Sequence, residues 1–188
     1  YMGHQLCPPA PISALISLLG ELVNNGMAIY EMGPAATAIE RVVIELIGSK
    51  IGYDQNSDGY ITSGGTIGNL TALLAARQNS ISKDIWEEGL QDNLGVMVSA
   101  EAHYSVDRAL RIMGFGAKGI IKVPVGKDFT IRTDLLEEYY QKSLDNGIKV
   151  IAVVGCAPST STGMYDDLSG LSNFCGKYNL WFHVDAAH

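Results

Sequence analysis

Residues 147–163 read GIKVIAVVGCAPSTSTG. Val150 to Gly155 is an apolar run too short for an ordinary helix and without polar alternation, the pattern of a strand covered on both faces. Gly147 is placed to stop a preceding helix, and a hydroxyl-rich turn from Pro158 to Gly163 follows the run. The same reading extends outward on both sides. Val96 to Ser99, Ile120 to Val125 and Leu180 to Asp185 are further strand candidates. Helices are predicted over Tyr104 to Met113, with Val106, Ala109, Leu110 and Met113 on one side, over Asp134 to Asn146 with Thr133 as N-cap, and over Leu168 to Tyr178. Alternation of this kind predicts a mostly parallel sheet with helices on both faces.

Upstream, Ile12, Leu15, Leu18, Leu19, Leu22 and Val23 recur at helical spacing, as do Ile39, Val42, Val43, Leu46 and Ile47. Each set is expected to bury one face, and Pro11 and Pro34 suit the helix starts. Residues 53–59, YDQNSDG, form a polar turn cluster. Thr62-Ser63-Gly64-Gly65-Thr66 then opens a third helix, marked by Leu70, Leu73 and Leu74 and running to about Gln78. No repeat, low-complexity tract or linker interrupts the chain, which reads as one domain. Its first and last residues, Tyr1 and His188, suggest part of a longer protein.

The 188 residues carry 13 Lys plus Arg against 20 Asp plus Glu, a net charge of −7. That balance argues against nucleic acid or anionic membrane as partner, since both are bound through clustered cations. Charged residues make up 18%, below the roughly 25% of ordinary domains, which predicts that another subunit or the rest of a longer chain covers part of the surface. Cys7, Cys156 and Cys175 show no CxxC spacing and no clustered histidines accompany them. They read as reduced thiols in a cytosolic setting, with no zinc site. The stretch from Pro11 to Tyr30 is too interrupted by polar residues to span a membrane, and it is no signal peptide.

Ligands of open α/β sheets sit beyond the carboxyl ends of the strands, and four segments there carry candidate chemistry. The glycine turn at Gly64, Gly65 and Thr66 suits a phosphate at a helix start, or is a plain tight turn with a Thr cap; it matches neither GxGxxG nor GxxxxGK. His103 is placed to stack on a flat ligand or shuttle a proton, or to cap the next helix. The hydroxyls of 158–163 serve a ligand's polar edge or their own turn. Asp185, an acid ending a buried strand, needs a partner: a backbone amide or Arg in a structural role, a protonated ring nitrogen or a metal in a functional one. His183 is read as facing away from Asp185, His4 has no local partner, and Asp107, Arg108 and Arg111 read as a solvated helix face.

In this order the four segments resemble the group II pyridoxal-phosphate-dependent amino acid decarboxylases, the family of glutamate, aromatic amino acid and diaminobutyrate decarboxylases. The matching pieces are TSGGTIGNLTALLAAR (62–77), SAEAHYSVDRAL (99–110), the Thr-rich turn with Gly163 and Asp166, and KYNLWFHVDAAH (177–188). Met2-Gly3-His4-Gln5 with Pro8-Pro9, and Tyr30-Glu31-Met32-Gly33-Pro34, resemble the family's substrate-side segments. The resemblance implies an α/β fold type I large domain, incomplete, in residues 51–188, with an N-terminal helical segment, 1–50, packing on it. It implies that Gly64, Gly65 and Thr66 hold the phosphate of pyridoxal 5'-phosphate, with His103 on one ring face and Ala187 on the other. Asp185 would keep the ring nitrogen protonated, and His103 and Asp185 would be the catalytic residues. Thr160 would lie near the O3′ side or the substrate carboxylate, although Pro158-Ser159 stands where relatives commonly have Gly-Thr. The implied reaction is decarboxylation of an L-amino acid to its amine and CO2, in a cytoplasmic homodimer with the site at the interface. The lysine that would bind the cofactor covalently is expected a few dozen residues beyond Asp185, and none of the eight lysines present matches it. Another fold type I enzyme, such as a lyase or aminotransferase, and a non-catalytic truncated module are the alternatives.

Overall fold

The computed structural model describes residues 8–188, so Cys7 and the Met2-Gly3-His4-Gln5 motif lie outside the described residues. The chain divides into two compact units, Tyr1–Ile61 and Thr62–His188.

In the first unit, α1 spans Pro11–Val23 and α2 spans Pro34–Ile51, with a 3-10 turn at Tyr30–Met32. Both helices start on proline, whose missing N–H costs nothing there. Each ends on a left-handed residue, Asn24 at φ 48° and Gly52 at φ 87°. The expected burial of their apolar faces is not found: Leu22 is 73% exposed and Ile39 64%. Periodicity says which side chains share a face, but not what covers that face. Past α2, the Ile61 N–H donates to Glu40 Oε1 at 2.8 Å. That bond ties the polar turn cluster back to α2, so the first unit runs to Ile61.

The second unit contains α3 (Gly65–Ser80), α4 (Ile85–Glu88), β1 (Leu94–Ser99), α5 (Tyr104–Ile112), β2 (Ile120–Val123), α6 (Leu136–Asp145), β3 (Lys149–Cys156), α7 (Leu168–Tyr178) and β4 (Trp181–Asp185). All strand pairs are parallel, in the order β2-β1-β3-β4. Side chains alternate between two cores. Val96 and Val98 of β1 with Ala152 and Val154 of β3 meet Leu73 and Ala76 of α3 and Val106 and Leu110 of α5. Met97 and Val153 face the other way, toward Leu136 of α6 and Leu171 and Cys175 of α7. The β1–β3 register shifts between Gly95 and Val96, leaving Ile151 as an extra residue on the first face.

Two helix starts differ from the sequence expectation. Thr133 opens a 3-10 turn, Thr133–Leu135, and α6 begins at Leu136 without a side-chain cap. The short α4 is nucleated by Asp84, whose carboxylate accepts from the Trp86 and Glu87 amides, a four-residue element too brief to leave a periodic signal. β2 stops before Pro124, which has no N–H to continue a ladder. The chain passes from β1 to β2 in one direction and from β2 back across β1 to β3 in the other. A crevice therefore opens at the carboxyl ends of β1 and β3.

Candidate functional site

A cavity of about 200 Å³ at this rim is lined by Gly65, Thr66, Asn69, His103, Thr160, Asp185, Ala187 and His188. Six of the seven sequence-predicted site residues thus share one space. The seventh, Gly64, is the N-cap of α3 at φ 98°, ψ 164°, a conformation essentially confined to glycine. No side chain caps α3; the Thr62 hydroxyl donates to the Gly64 carbonyl instead. The amides of its first turn lack intrahelical partners, so the positive end of a 16-residue helix opens beside the cavity. Gly65 is required for space: a Cβ there would lie 2.6 Å from the Ala187 Cβ.

His103 both lines the cavity and caps α5. Its Nδ1 accepts from the Ser105 amide at 3.3 Å and lies 2.7 Å from Ser105 Oγ. Thr160 sits on the turn after β3, which is fixed to the loop after β1 by Ser159 Oγ donating to the Glu101 carbonyl and Ser161 Oγ to its carboxylate. Asp185, buried at the end of β4, accepts from Asn69 Nδ2 at 2.9 Å on Oδ2 and from the Ala187 amide at 3.2 Å on Oδ1. It forms no ion pair with any Lys, Arg or His among the described residues. A buried carboxylate turned to a cavity without a cation leaves room for a cationic group of a ligand.

His183 lies on the same side of β4 as Asp185, not the opposite one, because residues two apart on a strand share a face. Its Nε2 is 2.7 Å from Asn69 Oδ1. Burial pushes the imidazole below its ordinary value against an opposing pull from Asp185; with the Asn69 amide nitrogen turned to Asp185, Nε2 is left to donate to the amide oxygen. Asn69, Ser105 and His183 were missed in the sequence. The available signal was spacing: Asn69 lies four residues after Gly65 on the same helix face, and His183 two before Asp185. Behind the site, buried Asp166 accepts from the Ile131 and Cys156 amides, both at 2.8 Å, an architectural role. Burial, reinforced by Asp166 and Asp185, pushes the Cys156 thiol up to about 12.

A parallel sheet with a glycine-started helix, an imidazole and a buried acid around one crevice is the architecture of a fold type I pyridoxal-phosphate domain. The chain belongs to the family described as pyridoxal-dependent decarboxylase conserved domain, whose profile matches residues 4–188. It is 30% identical over 200 residues to L-2,4-diaminobutyrate decarboxylase of Acinetobacter baumannii, covering 99% of this chain and 39% of that protein. It is 31% identical over 177 residues to aromatic-L-amino-acid decarboxylase of Bacillus atrophaeus, covering 92% and 36%. Among solved structures, the glutamate decarboxylase domain of diaminobutyrate-pyruvate transaminase and L-2,4-diaminobutyrate decarboxylase from Vibrio parahaemolyticus superposes with a TM-score of 0.91 at 29% identity, covering 96% of this chain and 41% of that one. The chain therefore spans about two fifths of the length of these relatives.

The residues present fit pyridoxal phosphate. The uncapped helix start suits its phosphate, the space kept open at Gly65 suits close approach, and the unpaired carboxylate suits a protonated ring nitrogen.

Proposed function

We propose that the whole protein decarboxylates an L-amino acid to the corresponding amine and CO2 with pyridoxal 5'-phosphate, and that this chain forms the wall that binds the cofactor. The carrying observation is Asp185, buried without a cation and facing the cavity that His103 and Gly65 also line. When bound, the cofactor supplies an electron-accepting ring for the pair released as the Cα–carboxylate bond breaks. Gly64 and the amides of Gly65 and Thr66 receive the phosphate. Asp185 holds a proton at the ring nitrogen, which strengthens the ring as an acceptor. His103 covers one ring face and Ala187 the other, excluding water, and the Thr160 hydroxyl orients the O3′ side or the substrate carboxylate. Among the described residues no lysine lines the cavity; by the family resemblance, covalent attachment belongs to a lysine in the part of the relatives that this chain does not span.

We further propose a cytoplasmic homodimer with the site at its interface. The exposed apolar faces of α1 and α2 support the dimer, and the free thiols of Cys156 and Cys175 support the compartment. Among the described residues no helix is long and apolar enough to cross a membrane.

The test is incubation of the protein and pyridoxal phosphate with a panel of L-amino acids, measuring CO2, amine and keto acid. CO2 with a matching amount of amine is expected, and Asp185→Ala should abolish both. Keto acid without CO2 would overturn the assignment in favour of an aminotransferase.

A further inference from the structure

Asn69 is 4% exposed and makes contacts with two other elements and the residues that end them. Its Nδ2 donates to Ser105 Oγ of α5 and to Asp185 Oδ2 at the end of β4, both at 2.9 Å, and its Oδ1 accepts from His183 Nε2 within β4. An amide side chain has two N–H donors and one carbonyl oxygen, and here each has a protein partner. The arrangement has one sense only. Rotating the amide by half a turn would set its oxygen against the Asp185 carboxylate, two acceptors facing each other. The Asp185 carboxylate, which only accepts, therefore fixes the amide with its NH2 toward Asp185 and Ser105, leaving Oδ1 to accept from His183 Nε2.

Two consequences reach the site. Asp185 is gripped at both oxygens, and of the two bonds the one from Asn69 is the shorter, 2.9 against 3.2 Å. Without it the carboxylate would turn on the weaker Ala187 amide alone. Ser105 Oγ, already accepting from Asn69, has its own hydrogen to give to His103 Nδ1 2.7 Å away. With the Ser105 amide donating to the same nitrogen, the ring proton of His103 is assigned to Nε2.

We propose that Asn69 is a positioning residue that aims the Asp185 carboxylate at a ligand's ring nitrogen and, through Ser105, fixes His103 as the Nε2–H tautomer. The proposal rests on the reading of the cavity as the pyridoxal phosphate site. The test compares dissociation constants for pyridoxal phosphate and for its analogue with CH in place of the ring nitrogen. The proteins are wild type, Asn69→Leu, Asn69→Ala and Ser105→Ala, with folding checked by circular dichroism; the alanine variant serves if leucine does not fit.

Wild type should prefer the nitrogen-containing ligand. In the Asn69 variants that preference should shrink about tenfold, the scale of one lost hydrogen bond to a charged group. Ser105→Ala should weaken both ligands alike and keep the preference, because Asn69 still holds Asp185. Ring 15N spectra of the protein without ligand give a second readout: the Nδ1–H form of His103 should rise in Ser105→Ala and Asn69→Leu. Asn69 variants that keep the wild-type preference, or weaken both ligands equally, overturn the proposal, as does an unchanged His103 tautomer. Wild type binding both ligands equally overturns instead the assignment of Asp185 to the ring nitrogen, and the aiming role with it.

Discussion

Replacing Gly65 with alanine adds one methyl group to the cavity wall and nothing else. Gly65 does not occupy the left-handed region, so alanine meets no backbone penalty there. The new Cβ would stand 2.6 Å from the Ala187 Cβ, where carbon atoms in contact sit about 3.5–4.0 Å apart. Something must move by about 1 Å. The helix side is anchored by Leu73 and Ala76, both 1% exposed or less. Ala187, beyond the end of β4, is held by a single 3.2 Å bond to Asp185, so the tail yields. Overpacking costs about 1–3 kcal/mol, and a yielding tail places this case near 1 kcal/mol, a fall in Tm of roughly 3 °C for a domain of this size. The site suffers more, because the shift falls on a residue that lines it, and misplacement by about 1 Å can cost on the order of a hundredfold in function. Calorimetry together with fluorescence titration of pyridoxal phosphate measures both effects. Wild-type affinity in a variant whose Tm has dropped as expected would refute the placement of the cofactor against Gly65 and Ala187.

Gly64→Ala tests the neighbouring glycine by another route: no atom lies within 4 Å of its added Cβ, so the cost of about 1–3 kcal/mol is wholly that of the φ 98° backbone, and Gly64→Ser should match it in thermal melts. Asp166→Ala strips two buried amides of their acceptor and should destabilise by roughly 3 kcal/mol, seen as a lower urea midpoint. For His183, burial lowers the folded-state value, so below about pH 6.5 the unfolded chain takes up a proton that the folded chain refuses. Stability should fall with pH from there and level off below the folded-state value, at up to about 1.4 kcal/mol per pH unit. His183→Gln should remove that component of the slope in denaturant titrations followed against pH.

The parallel sheet was legible because β1 and β3 are apolar on both faces, a pattern that needs no tertiary knowledge. His103, Thr160 and Asp185 were legible for a related reason: each ends a strand or lies in the loop that follows one, and the topology brings those ends to one rim. Asn69 was not, since a polar residue among the leucines of α3 signals nothing until β4 is laid beside it. The error over His183 came from misapplied parity, not from the fold. The exposed faces of α1 and α2 mark another boundary, because spacing identifies an apolar stripe but not what covers it. Thr133 illustrates a third: a residue type suited to capping was present, but the local turn tightened into a 3-10 form and moved the helix start two residues on, from Asp134 to Leu136.

The two flanks of the sheet are unequal. β2 is four residues long, carries Lys122 paired to Asp107 and runs into Pro124, all of which discourage further growth on that side. β4, Trp-Phe-His-Val-Asp, has neither lysine nor proline and, among the described residues, no neighbour beyond it. Its outer row of peptide groups is a template for one more strand, and a polypeptide of these residues kept alone in solution would tend to stick flank to flank. A strand added there would run alongside the one that ends in Asp185, so whatever occupies that flank also becomes a side wall of the chemistry.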